Sequence, residues 1–90
     1  EDTTGQKFMD SILAPALKNN DHVKVILTGY NRYGRSFLDE AFGGLIRESG
    51  FTYDELQKKL TYEHDTVKSI ELLIKERIEK AAKDFGQLDE

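Results

Sequence analysis

The sequence predicts a small α/β domain in which a few strands form a sheet with helices packed on it. Two observations carry this prediction. Apolar residues recur at helical spacing over three long segments, and two short segments between them have the composition or alternation of strands. The predicted order is helix, strand, helix, short helix, strand, helix. A strand that reaches the next one through a helix normally pairs with it in parallel.

Length and composition predict one domain, residues 1–90, with residues 1–4 and 87–90 as frayed tails. One third of the residues are charged and 38% are hydrophobic, which is typical of a folded globular domain. The net charge of -4, without a basic cluster, argues against nucleic-acid binding. The chain has no cysteine, no apolar run long enough to cross a bilayer and no signal-peptide pattern. We therefore expect a cytoplasmic protein with no membrane contact.

The first segment, residues 3–20, has the apolar stripe of an amphipathic helix. Thr3 and Gln6 are spaced as a capping box at its start. Pro15 lies inside the helix and lacks the N–H that would continue the hydrogen-bond pattern. We therefore expect a kink, or a break near Ala14.

The segment from His22 to Thr28 is predicted as a strand, preceded by a polar turn. Val23, Val25 and Leu27 share one face, and Ile26 makes the other face partly apolar. This pattern favours a sheet with helices on both faces.

The strongest helical pattern in the chain opens at Ser36 and ends at Ser49 and Gly50, where glycine is suited to a left-handed cap. Gly43 and Gly44 lie in the middle of this helix. Each costs roughly 1 kcal/mol relative to alanine in a helix. We therefore expect another backbone or a bulky side chain to approach closely there.

A short helix over residues 51–59 is predicted to begin with a capping box of Thr52 and Glu55. Residues 60–64 then alternate in the manner of a short strand. The last helix is predicted to be capped by Asp65 or Thr66.

That last helix is predicted to end at Phe85 and Gly86. Two short parallel strands make a thin sheet, since such pairs are rarely stable without flanking strands. We therefore expect either strands upstream of this chain or a second copy that supplies an edge, so a homodimer is one predicted state.

The run from Gly29 to Glu48 closely resembles the signature of the STAS-like domain family, small bacterial proteins of unknown function. Its core is Ser-Phe-Leu-Asp-Glu-Ala-Phe-Gly-Gly-Leu at residues 36–45. The resemblance extends from about Gly5 to the last helix and implies a STAS-like sheet with helices packed on it. It also implies one or more flanking N-terminal strands that this chain lacks.

The wider resemblance is to STAS domains, including the anti-sigma factor antagonists. In those proteins a partner kinase phosphorylates a serine at the start of the helix that follows a strand and a loop. Ser36 stands at the matching point. Gly34 and Arg35 replace the acidic and small residues that precede the serine in the antagonists, and Phe37 replaces a small residue.

The strand–loop–helix junction at residues 30–37 is the predicted contact surface, because tyrosine and arginine dominate protein–protein hot spots. Its candidate residues are Tyr30, Arg32, Tyr33, Arg35, Ser36 and Phe37. The alternative interpretation is a solvated loop whose tyrosines cover the edge of the core.

Ser36 has two interpretations. It is suited to be the N-cap of its helix, with Asp39 completing a variant of the capping box. A phosphate on Ser36 would instead lie at the positive end of the helix, near Arg32 and Arg35. The same groups could bind an anion such as a nucleotide phosphate.

No residue set in the sequence supports catalysis. His22 and His64 are not spaced as metal ligands, and we interpret them as packing or solvent-facing residues. We predict a non-enzymatic regulatory module that binds a protein partner, without metal or cofactor. The alternative is a small anion- or nucleotide-sensing domain that uses the helix start at Ser36.

Overall fold

A computed structural model describes residues 4–27, 35–65 and 67–88. The strands are β1 (Val23–Leu27) and β2 (Leu60–His64). The helical elements are α1 (Thr4–Phe8), a first π-helical turn (Met9–Leu13), α2 (Ala14–Asn19), α3 (Arg35–Leu38), a second π-helical turn (Asp39–Gly43), α4 (Gly44–Arg47), α5 (Tyr53–Lys59) and α6 (Lys68–Asp84).

The two strands form a parallel sheet, as the order of elements predicts. Their register runs from Val23 opposite Leu60 to Leu27 opposite His64. Helices pack against one face of this sheet, and the predicted α/β class is confirmed.

The other face of the sheet is open in the described part of the chain, so the expectation of helices on both faces is wrong there. Ile26 is 55% exposed. On the same face Lys24 Nζ lies 3.4 Å from Glu63 Oε1, and both side chains are exposed to about half their area or slightly less. One isoleucine among charged and polar neighbours does not provide enough apolar surface to hold a second helical layer.

Pro15 is accommodated without a break. The helix continues through it, and the first π-helical turn comes directly before α2. At that junction the Ala14 N–H donates to the Met9 carbonyl, five residues back instead of four. A π-helical turn of this kind absorbs the disturbance of the hydrogen-bond pattern that a proline imposes. Thr3, the predicted cap, lies outside the described residues.

The second helix begins at Arg35, one residue before the predicted start, and the second π-helical turn interrupts it. There the Gly44 N–H donates to the Asp39 carbonyl. The predicted left-handed glycine that follows is confirmed, since Gly50 has a φ of 84°.

The predicted capping box at α5 is confirmed in both directions. The Glu55 N–H donates to Thr52 Oγ1 at 3.1 Å, and the Thr52 N–H donates to Glu55 Oε1 at 2.9 Å. Phe51 precedes the helix and is buried.

The cap of α6 differs from the prediction. The N-cap is Val67, and neither Asp65 nor Thr66 holds that position. The buried ring of His64 explains the difference, because its Nδ1 accepts a hydrogen bond of 2.9 Å from the Val67 N–H.

After α6, the Gln87 side chain accepts a hydrogen bond of 2.7 Å from the Tyr53 N–H. This bond ties the first residue of the predicted tail to α5.

The core lies between the sheet and the helices. Its largest fully buried side chains are Phe42, Met9, Leu13, Leu17, Leu38, Leu45, Leu56, Ile74 and His64. His64 is the polar member of this set. None of the helices in the described part of the chain is long and apolar enough to cross a membrane.

Candidate functional site

The carboxyl ends of the two parallel strands lie side by side. Leu27 ends β1 opposite His64, which ends β2. The Asp65 N–H then donates to the Leu27 carbonyl at 3.0 Å, which fixes the two strand ends together. We call Leu27, His64 and Asp65 the strand-end corner. Both segments that follow the strands leave from this corner, which is the usual location of functional loops in α/β domains.

His64 organises the corner from inside the core. Its side chain is fully buried, and Nδ1 accepts from the Val67 N–H. The same nitrogen lies 3.2 Å from Asp65 Oδ1. A ring whose nitrogen already accepts a backbone hydrogen bond is a structural group, which agrees with its interpretation as a packing histidine. The alternation of β2 placed it on the same face as Leu60, but the sequence left open whether His64 is buried or faces solvent. Its hydrogen bond to the Val67 N–H was not predicted.

Two side chains of α6 bind the outer backbone of β2 at His64. Glu71 Oε2 accepts from the His64 N–H at 3.0 Å, and Lys68 Nζ donates to the His64 carbonyl at 3.2 Å. Lys68 and Glu71 also pair with each other at 3.3 Å. The backbone hydrogen bond from His64, followed by the interaction with Lys68, lowers the pKa of Glu71. Sequence analysis did not single out this pair.

The start of α3 carries part of the predicted contact surface. Ser36 is the second residue of α3 and is exposed. Phe37 is half-buried and stacks on Phe8, with ring centroids 5.9 Å apart. Phe37 therefore anchors the start of α3 to α1.

The structure describes only one of the other predicted contact residues. Tyr30, Arg32 and Tyr33 lie outside the described residues, and Arg35 is the first residue of α3. Because α3 begins at Arg35, Ser36 does not occupy the predicted N-cap position.

Asp39, the predicted partner of Ser36 in a capping box, binds Arg47 instead. Arg47 Nη1 donates to Asp39 Oδ1 at 3.3 Å, and Nη2 donates to Oδ2 at 3.1 Å. Nη2 also donates to the Asp39 carbonyl at 3.0 Å. This forked contact spans the second π-helical turn. Arg47 was not predicted, because its eight-residue separation from Asp39 is not a helical neighbour spacing.

Gly43 and Gly44 both lie at close approaches. A Cβ on Gly43 would come within 2.7 Å of Arg47 Nη1, and a Cβ on Gly44 within 2.7 Å of Met9 Sδ. Gly43 therefore leaves room for the arginine fork, and Gly44 lets the first π-helical turn pack against the second helix.

An open groove runs between β2 and α6. Tyr62, Lys68, Glu71, Leu72 and Lys75 line it. Burial, and then the charge of Glu79, raise the pKa of the Tyr62 phenol. The ring also packs on Phe42, with centroids 6.1 Å apart.

The remaining predicted chemistry concerns metals and the other histidine. In residues 4–27, 35–65 and 67–88, no group of three or more histidine, aspartate or glutamate side chains could hold a metal ion. His22 is exposed and its Nε2 lies 2.7 Å from Thr61 Oγ1.

A family model described as a STAS-like domain of unknown function matches residues 4–69. The chain belongs to this family. The resemblance seen in the run from Gly29 to Glu48 is therefore confirmed. No curated protein and no solved structure is significantly similar to the chain. Glu71 and most of α6 in this STAS-like domain lie beyond the matched range.

Proposed function

We propose that this STAS-like domain is a non-enzymatic regulatory module that binds a protein partner through the strand–loop–helix junction at residues 30–37. One observation carries the proposal. The hydrogen bond from Asp65 to Leu27 holds the ends of both strands at one corner, and the junction leaves from that corner. A recognition loop that starts from a fixed scaffold loses less conformational freedom when it binds.

The exposed Ser36 supports a regulatory role for the same surface. A phosphate there would lie in the first turn of α3, where the helix dipole favours negative charge. Asp39, one turn further on, would otherwise repel it. The fork from Arg47 neutralises that carboxylate, so the helix start can accept the added charge.

The use of His64 supports a non-enzymatic role. Its Nδ1 accepts a backbone hydrogen bond and its ring is fully buried. A general base must reach the proton that it abstracts. We therefore propose that His64 serves the fold and that the domain acts by binding.

Site-specific photocrosslinking tests the contact surface. A photoreactive phenylalanine derivative is introduced at Ser36 in the native host, and the control position is Lys58. Lys58 is also exposed, but it lies in α5, at the opposite end of β2 from the strand-end corner. We expect a discrete crosslinked product from position 36 and none from position 58.

Substitution of the loop completes this test. The double substitution Tyr33→Ala and Arg35→Ala should remove the product from position 36 while the thermal midpoint stays close to that of the unsubstituted protein. A product that persists, or that also forms from position 58, would contradict the contact surface.

Titration with nucleotides and inorganic phosphate, followed by amide chemical shifts, tests the alternative of anion sensing. Saturable shifts confined to residues 32–38 would favour that alternative over protein binding. No response to any of these anions is the expected result.

A further inference from the structure

Two groups reach the same nitrogen of the buried His64 ring and make opposite demands on it. The Val67 N–H donates to Nδ1 at 2.9 Å, and Asp65 Oδ1 lies 3.2 Å from the same atom. An imidazole nitrogen accepts a hydrogen bond when it is unprotonated and donates one when it carries a proton. Nδ1 can therefore bond the backbone N–H or the carboxylate, but not both at once.

The neutral ring suits Val67. When the ring proton is on Nε2, Nδ1 is an acceptor. It then accepts from the N–H of Val67, which is the N-cap residue of α6. The carboxylate oxygen of Asp65 faces a lone pair in this state, which is an unfavourable contact. The neutral ring therefore fixes the start of the helix.

The protonated ring suits Asp65. With a proton on Nδ1 the ring is positively charged, and it can donate to Asp65 Oδ1 without a large movement because the two atoms already lie 3.2 Å apart. The Val67 N–H then faces another N–H and loses its acceptor. One added proton therefore exchanges the backbone partner of Nδ1 for the carboxylate.

We propose that the strand-end corner is a proton-sensitive switch, in which His64 holds the start of α6 when its ring is neutral and holds Asp65 when its ring is protonated. Histidine is the side chain suited to such a switch, because its charge ordinarily changes between about pH 5 and 8. The switch requires no protein partner. It therefore stands or falls separately from the contact surface proposed at residues 30–37.

Among the described residues, the charges that face His64 make Asp65 the group that decides between the two states. Glu71 and Lys68 reach the backbone of His64 from α6, and they pair with each other at 3.3 Å, so their charges largely offset one another at the ring. No other buried side chain in the described core is ionisable. Burial of the ring disfavours its charged form, and the adjacent carboxylate favours it.

The switch also reaches the outer edge of β2. Lys68 and Glu71 lie in the first turn of α6 and bond the backbone of His64 at that edge. A first turn whose N-cap residue has lost its anchor frays more readily, so the two side chains hold the edge less firmly. Acidification in the histidine range should therefore loosen the edge before Glu71 itself is protonated, since the pKa of Glu71 lies below 4.5.

NMR spectroscopy of the full chain between about pH 8 and pH 5 tests the switch. Ring nitrogen shifts of His64 report which nitrogen carries a proton, and the Val67 amide shift reports its hydrogen bond. We expect an unprotonated Nδ1 at the upper end of the range, and one step in which Nδ1 gains a proton while the Val67 amide shift moves. Hydrogen exchange at Val67, corrected for the intrinsic effect of pH, should speed up about five-fold across this step.

Asp65→Asn removes the negative charge and keeps the size of the side chain. The step at Val67 should then move to lower pH, because the protonated ring has lost the carboxylate that favours it. Asp21→Asn is the matched control, since Asp21 is also an exposed aspartate next to a histidine, His22. This control should leave the step at Val67 unchanged.

The amide of Val25, in the middle of β1, is the internal reference for folding. Its shift should stay constant over the same range, which distinguishes a local change at α6 from unfolding. The proposal is overturned if Nδ1 has the same protonation state throughout the range, if the Val67 amide does not respond, if the step occurs at the same pH in Asp65→Asn as in the parent, or if Val25 changes together with Val67.

Discussion

The two outer edges of the sheet differ at their carboxyl ends. At His64, the outer edge of β2 is closed by a donor and an acceptor from α6, namely Lys68 and Glu71. At the outer edge of β1, the backbone groups of Lys24 and Ile26 have no such partners among the described residues. At His64, the charged pair from α6 supplies the hydrogen bonds that a third strand would otherwise supply.

The difference concerns the backbone groups with which another strand could pair. An exposed strand edge favours indiscriminate association, and side-chain capping is one way to prevent it. The helix that follows β2 returns alongside it and can provide the cap. The β1 edge receives no equivalent helix in the described residues.

The largest expected loss of stability comes from removing the His64 ring at the outer edge of β2. We expect His64→Ala to lower the free energy of unfolding by about 2 to 4 kcal/mol, because a fully buried side chain and the acceptor of the Val67 N–H are lost together. Urea denaturation measures this. His22→Ala is the control and should change the free energy by less than about 1 kcal/mol, since His22 is exposed. Equal losses from both histidines would show that His64 has no special role at this edge.

Removing the Glu71 carboxylate from the outer edge of β2 should lower the stability less, and by an amount that depends on pH. The pKa of Glu71 is lowered in the folded protein, below its ordinary value of 4.5, chiefly because the carboxylate accepts from the His64 N–H. A lowered folded pKa stabilises the protein above pH 4.5 and that contribution is lost as the pH falls through the folded value. Glu71→Gln should therefore flatten the acid side of the stability profile.

Hydrogen exchange separates this local effect from general destabilisation. The His64 amide should exchange more slowly than the Ile26 amide in the monomer, and Glu71→Gln should speed up exchange at His64 alone. If acid sensitivity is unchanged and the His64 amide remains protected in Glu71→Gln, the carboxylate does not close the edge.

The smallest expected effect concerns Tyr62, the residue of β2 beside the groove. Burial, and then Glu79, raise its pKa above the ordinary value of 10.0. A raised folded pKa contributes stability that is present below pH 10.0 and is lost as the pH rises through the folded value. Tyr62→Phe keeps the ring against Phe42 and should reduce the loss of stability at alkaline pH. An alkaline profile identical to that of the parent would contradict this.

Local physical chemistry made part of the fold predictable. The capping box of Thr52 and Glu55 and the left-handed Gly50 depend on residues a few positions apart, and both are present as predicted. The parallel pairing follows from the helices that connect the two strands. These features need no knowledge of distant contacts.

Features that depend on which side chains are buried, or on irregular helical turns, could not be predicted. The N-cap of α6 moved to Val67 because a buried histidine four positions before the helix accepts its N–H. Asp39 bonds Arg47 across a π-helical turn that period-3.6 patterns do not include. The open sheet face was missed because one exposed isoleucine, Ile26, looked like part of a second apolar face.

The second π-helical turn lets this helix hold one residue more than its packing requires. A π-helical turn holds about one residue more than an α-helical turn, so the helical segments on either side of it keep their faces in phase. Deleting one residue from Asp39–Gly43 would therefore leave Leu45 toward the core and Arg47 two turns from Asp39, because seven residues make about two α-helical turns. Within this family, homologues that are one residue shorter in this turn should keep the same packing on either side of it.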